Sequence, residues 1–353
     1  MSVLDASIIP VLATIPVPNM SLTVADIARQ EGNTLVIDVG YPIAQVKASV
    51  ESEIRSALEQ QNIVCDLRVE QRIPSVTPGN IKQLIPGVKN IIAVASGKGG
   101  VGKSTTAANI ALALAYEGAT VGVLDADIYG PSQPQMLGVP NLRPEVLPQN
   151  KIVPLNALGL QLVSMGSLVT EKTPMIWRGP MVSGALQQLL TQTQWDNVDY
   201  LIVDMPPGTG DIQLTLSQSV PVSSSVIVTT PQDIALLDAK KGIEMFRKVN
   251  IPVVGIVENM ATHVCSQCGH EEAIFGEHGG AKLAEEFASQ VLGRLPLKLA
   301  IREQAESGKP TVAADPLCAE SLQYRQIATV IAADIWQRAM TGPSGPTIEI
   351  ADD

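Results

Sequence analysis

Three groups of residues have the types and spacing to do chemistry. The first is Gly97-Lys98-Gly99-Gly100-Val101-Gly102-Lys103-Ser104-Thr105, which satisfies G-x-x-x-x-G-K-[ST]. Its glycines let the backbone wrap a phosphate with N–H groups, Lys103 brings a point charge to terminal phosphates, and the Ser104 hydroxyl can ligate Mg²⁺. The second is a set of aspartates that follow apolar runs: Asp125 and Asp127 after Val121-Gly122-Val123-Leu124, and Asp204 after Tyr200-Leu201-Ile202-Val203. Carboxylates at strand ends can hold a metal shell and orient a water, so Asp204 and Asp125 are expected at the magnesium and Asp127 at the attacking water. Pro206-Pro207-Gly208, stiff and then permissive, suits a segment that senses the terminal phosphate. The third group is Cys265-Ser266-Gln267-Cys268, flanked by His263 and His270. Two thiolates can grip one metal centre, but a closed site wants four ligands. Three completions stay open: a dimer giving four thiolates around a cluster or zinc, a single-chain zinc with His263 and His270, or a redox disulfide. The disulfide reading lacks a helix opening at the first cysteine. Cys65 and Cys318 read as packed thiols.

Such residues need strands and helices to hold them. From residue 90 onward, short apolar runs at 91–95, 120–124, 160–164, 200–203, 225–229, 253–257 and 290–295 alternate with helix-length segments. Each run is nearly all apolar, as in strands buried on both faces, so the expected fold is α/β with a doubly wound, mostly parallel sheet. A ligand belongs beyond the carboxyl ends of such strands. The glycine-rich loop lies between the run 91–95 and a helical stretch at 106–116. Residues 1–70 read as a small N-terminal α/β domain, with a strand at 34–39, a helix at 44–60 and a second strand at 63–69. Proline and glycine mark 71–89 as a linker, leaving 90–341 as the main domain and 342–353 as a mobile acidic tail.

The 353 residues are 45% hydrophobic and 3% aromatic, enough for a large aliphatic core. A net charge of -11 opposes long-range attraction to nucleic acid or anionic membrane, so neither is an expected partner. No apolar run approaches the ~20 residues that span a bilayer. The start Met1-Ser2-Val3-Leu4-Asp5 has no secretory pattern, and four cysteines in this length make no disulfide scaffold, so a cytoplasmic location is expected.

The loop with its additional Lys98 resembles the deviant Walker A motif of the ParA/MinD/nitrogenase-iron-protein class. In that class the additional lysine reaches across a dimer interface, which implies that Lys98 contacts the nucleotide of a second copy. Residues 97–105, 125–132, 177–181, 204–216, 230–233, 258–260 and 265–269 together resemble the Mrp/ApbC family of iron–sulfur cluster carrier ATPases, a likeness that spans residues 88 to about 340. The resemblance implies a homodimer that hydrolyses ATP with Mg²⁺, binds a labile [4Fe–4S] cluster between two Cys265/Cys268 pairs, and passes it to apo iron–sulfur proteins. It also implies that Asn259 bonds the adenine. Residues 1–70 look like a shortened form of the small domain that precedes this ATPase in bacteria, with Tyr41-Pro42 where longer relatives carry a cysteine; partner docking is the expected role. Three other readings compete. A ParA/MinD-type positioning ATPase needs a basic surface or a membrane-seeking helix, but Glu320, Arg325, Asp334 and Arg338 cancel along the last helix. A nitrogenase-like reductase takes its cysteines from two separated loops. The last is an ATPase with structural zinc.

Overall fold

The computed structural model describes residues 4–76, 84–128, 130–168 and 179–341. The chain divides into two units. In the smaller unit, β1 (Ala28–Glu31) pairs antiparallel with β2 (Thr34–Val39), and β2 pairs parallel with β3 (Asp66–Gln71). The helix Lys47–Gln60 connects β2 to β3 and buries Ile54 and Leu58, while β2 buries Leu35, Val36 and Ile37. Each such fully buried aliphatic side chain contributes about 1.5–3 kcal/mol.

One feature of this unit departs from the linear domain boundaries. Residues 332–341, the end of the 23-residue helix Ala319–Thr341, group with the small unit. The physical reason is Trp336, which is buried and packs against the Tyr41 ring at 5.6 Å and 57°.

In the large unit the strands are β4 (Val88–Ala95), β5 (Val121–Asp125), β6 (Glu145–Leu147), β7 (Lys151–Val153), β8 (Leu155–Ala157), β9 (Leu160–Ser164), β10 (Val198–Asp204), β11 (Ser224–Thr229), β12 (Val253–Glu258), β13 (His263–Val264), β14 (Glu271–Glu272) and β15 (Val291–Arg294). Eight of them form one sheet in the order β15-β12-β11-β4-β10-β5-β9-β8, and only β8 runs antiparallel to its neighbour. Every residue of β5, β10 and β11 is buried, so both sheet faces are covered, as the unbroken apolar runs require. Leu124, Val203 and Ile227 join Leu186, Ile243 and Phe246 of the helices in one core. The β6–β7 hairpin and β8 were not legible, because three-residue strands leave no apolar run to read.

The sheet register decides what meets at its carboxyl edge. Asp204 at the end of β10 pairs with Val94 of β4 on one side and with Asp125 of β5 on the other. The chain passes from β4 to β5 on one side of the sheet and from β10 to β11 on the other side of β4, which places the switch point of the topology at β4. The linker is shorter than 71–89, since β3 ends at Gln71 and β4 opens at Val88. Its residues 77–83, the tail 342–353, and Trp177 and Arg178 of the 177–181 segment lie outside the described residues. Among the described residues, no helix is long and apolar enough to cross a membrane.

Gly40 gives this packing a direct test. A Cβ there meets the Trp336 indole at 2.2 Å. Gly40→Ala is expected to lower the stability of the small unit by about 1–3 kcal/mol, the usual cost of overpacking, measured by urea unfolding followed through tryptophan fluorescence.

Candidate functional site: a nucleotide-binding loop and a cysteine hairpin

β4 ends at Ala95 and the chain turns through the glycine-rich loop into the helix Lys103–Tyr116. The helix opens three residues earlier than the apolar pattern predicted, so Lys103, Ser104 and Thr105 form its first turn. Their free backbone N–H groups and the helix dipole therefore face the loop, which is the geometry that binds anions. The turn needs Gly102 at φ 82°, where a side chain is strained, and a Cβ there would meet Asn259 Nδ2 at 2.1 Å. Gly97 is needed for a different reason: a Cβ would strike the backbone of Asp238 at 2.2 Å.

Lys103 is buried, and its Nζ donates to Asp204 Oδ1, which is also buried, and to Ser104 Oγ at 3.2 Å. Gln133 Nε2 donates to the other Asp204 oxygen and to the Ser104 carbonyl, each at 2.9 Å. Asp125 lies alongside. Its Oδ2 accepts from Ser132 N at 3.0 Å, Gln133 N at 3.1 Å and Ser164 Oγ at 3.1 Å, and its Oδ1 accepts from Asp127 N at 3.2 Å. Burial, and then the charge of Asp204, push its carboxyl up to about 7 against these hydrogen bonds. Asp127 is buried and accepts from Gly130 N at 3.2 Å. The structure thus brings Lys103, Ser104, Asp125 and Asp204 together, with Asp127 two residues further along the same turn. Gln133 was missed. It stands in Gly130-Pro131-Ser132-Gln133 as an ordinary polar residue, and only the fold sets it beside Asp204.

The segment after β10 is tied to the loop. Gly208 N donates to the Ser96 carbonyl at 2.9 Å, and Gln213 Nε2 donates to the Pro207 carbonyl at 2.6 Å. Lys98 is half-buried, with its Nζ 3.5 Å from Gln232 Oε1 at the start of the helix Asp233–Lys248.

Beside the loop lies a cavity of about 470 Å³ whose lining includes Gly102, Thr105, Asn259, Met260, Leu297 and Tyr324. Asn259 is buried and donates from Nδ2 to the Val101 carbonyl at 2.9 Å, so the residue expected at the base also braces the phosphate loop. A few residues on, β13 and β14 pair as a short antiparallel hairpin that carries Cys265 and Cys268 in its turn. Cys265 N donates to the His270 carbonyl and Gly269 N to the Cys265 carbonyl, both at 2.9 Å. Cys265 is half-buried, Cys268 is exposed, and both are free thiols. Backbone N–H groups of Cys268 and Gln267, followed by the Cys268 thiol, hold the Cys265 thiol below its ordinary value, which favours the thiolate that metals bind. Among the described residues, no three His, Cys, Asp or Glu side chains gather to hold a metal ion. Cys65 and Cys318 are half-buried free thiols.

A glycine loop at the head of a central parallel strand, with strand-end carboxylates one and two strands away, defines the class as a P-loop NTPase. The family model for the NUBPL iron-transfer P-loop NTPase, of the ParA group, matches residues 87–332, and the chain belongs to that family. It is therefore an ATP-hydrolysing enzyme. The iron-sulfur cluster carrier protein of Pseudomonas fragi is 63% identical over 257 residues, covering 72% of this chain and 90% of that protein. The protein of that name in Escherichia coli strain K12 is 59% identical over 310 residues, covering 86% of this chain and 84% of its own. Among solved structures, a nucleotide-binding protein of Archaeoglobus fulgidus in complex with ADP superposes with a TM-score of 0.57 at 34% identity, over 64% of this chain and 88% of that one.

Gly102→Ala combines a strained φ with a collision at Asn259. Calorimetric titration with ADP is expected to show at least about a tenfold loss of affinity, which corresponds to about 1.4 kcal/mol, while circular dichroism stays native.

Proposed function

We propose that the chain is an ATP-dependent carrier of iron–sulfur clusters, which holds a [4Fe–4S] cluster as cargo between two copies and delivers it to apo iron–sulfur proteins. The observation that carries this reading is the hairpin: two free thiols, one exposed and one biased toward thiolate, with no third donor gathered beside them among the described residues. Two such pairs supply the four thiolates that a [4Fe–4S] cluster takes. The names of the close relatives support the same cargo.

In this reading residues 97–105 cradle the ATP phosphates, Lys103 neutralises them, and Asn259 borders the base. Lys98 reaches the nucleotide of the second copy, which makes hydrolysis depend on the homodimer. Asp127 orients the attacking water. Magnesium fits the residues present, because Ser104, Asp125 and Asp204 offer hard oxygen donors and the two buried carboxylates have one lysine between them. When bound, the cation supplies charge neutralisation at the phosphates. Asp204 is the carboxylate nearest the loop helix, and Asp125 supports the set from behind, where backbone N–H groups already hold it.

Anaerobic reconstitution with iron and sulfide tests the cargo. A broad brown absorption at about one cluster per two chains is expected, lost in Cys265→Ala or Cys268→Ala and transferable to an apo-enzyme. One tightly held zinc per chain, with iron refused, would replace the carrier by a structural zinc protein. For the second copy, Lys98→Ala is expected to abolish ATP turnover while circular dichroism stays native; unchanged turnover removes the trans-acting lysine.

A further inference from the structure

Gln133 is fully buried, and its neighbours fix the orientation of its amide. Nε2 faces the Ser104 carbonyl and Asp204 Oδ2, each at 2.9 Å. Both are acceptors, so the NH₂ end must point at them; a flipped amide would set oxygen against oxygen. That uses both donor hydrogens and leaves Oε1 buried with no hydrogen-bond partner. The next residue back repeats the pattern. Ser132 Oγ is also buried and unpartnered, and Ser132 lines the cavity that Gly102 and Thr105 border.

Folded proteins satisfy nearly all their buried polar atoms, so these two adjacent orphans beside a phosphate loop mark a place where partners arrive with a ligand; the Ser132 hydroxyl can donate or accept, whereas Gln133 Oε1 needs a donor. The donor must come from something that sits near Ser104 and Asp204. A phosphate oxygen is an acceptor and cannot serve Oε1. A hydrated divalent cation can: magnesium keeps several of its waters, and the charge of the metal makes their O–H groups strong donors.

We propose that Gln133 is a positioning residue for the hydrated cation that accompanies the nucleotide. Its Nε2 holds the Asp204 carboxylate against the loop helix, and its Oε1 accepts a hydrogen bond from a water on the cation. The backbone N–H of the same residue is held by Asp125, so one side chain and one backbone group join both carboxylates. The proposal rests on the magnesium part of the reading above and is independent of the cluster.

The test is calorimetric titration of the full chain with a non-hydrolysable ATP analogue, in Mg²⁺ and in EDTA. The wild type is expected to bind more tightly in Mg²⁺. Gln133→Met keeps the length without the polar atoms, and the gain due to Mg²⁺ is expected to fall by about 10- to 100-fold, as for other groups that hold metal ligands in place. A Gln133→Met chain that keeps the full gain overturns the proposal. A wild type that gains nothing from Mg²⁺ overturns the magnesium reading and this proposal with it. A second measurement needs no folded variant: in the wild-type chain with selectively labelled glutamine, the Gln133 side-chain amide resonance is expected to move when Mg²⁺ is added to the analogue complex. A resonance that ignores the metal also overturns the proposal.

Discussion

Two carboxylates and one ammonium are buried together at the tips of neighbouring strands, and the rest of the site follows from keeping them there. Taking a charge out of water costs several kcal/mol even after relaxation, and removing one partner of such a pair costs about 3–5 kcal/mol. Lys103 and Asp204 offset each other, Gln133 occupies the second Asp204 oxygen, and Asp125 takes four hydrogen bonds and a raised proton affinity. In the proposed reading a bound phosphate competes with Asp204 for Lys103. A triphosphate that draws Lys103 away leaves Asp204 beside Asp125 with no positive charge, a state that low-dielectric surroundings penalise heavily. A divalent cation restores the balance. In the proposed reading, nucleotide and metal are therefore coupled by simple electrostatics, before any movement of the backbone is considered.

A second coupling is covalent. Glu258 ends β12, Asn259 braces the phosphate loop, Met260 lines the cavity at φ 56°, and the cysteine hairpin opens at His263. Leu297, also in the cavity lining, is bridged to His263 and donates its N–H to the Thr262 carbonyl at 2.7 Å. In the proposed reading a base bound in this cavity touches residues that lie next to the hairpin in the chain.

The seven apolar runs and the glycine loop were legible because each carries its signal locally: consecutive β-branched and aliphatic residues for the strands, and spacing for the loop. The three acidic positions were legible because strand ends can be read from where the apolar run stops. Gln133 was not, since its meaning comes from Asp204, which is distant in sequence and is brought near by the register between β5 and β10. The return of residues 332–341 to the small unit was hidden for a similar reason. Trp336 looks like any apolar position of a long helix until Gly40 and Tyr41 are placed against it. Local pattern shows elements; pairings between distant residues need the fold.

The hairpin differs from the nucleotide site in one physical respect that suits its proposed task. Lys103, Asp125 and Asp204 are buried and cross-braced by hydrogen bonds. Cys265 and Cys268 sit instead in the turn between two two-residue strands, with one thiol open to solvent. In the proposed reading, exposure lets an acceptor's thiols reach the iron and replace Cys265 and Cys268 as its ligands one at a time. A deeply buried four-cysteine cage would hold a cluster more firmly and surrender it more slowly. In the proposed reading, buried and braced groups serve the phosphate chemistry and an exposed turn serves the cargo that must leave.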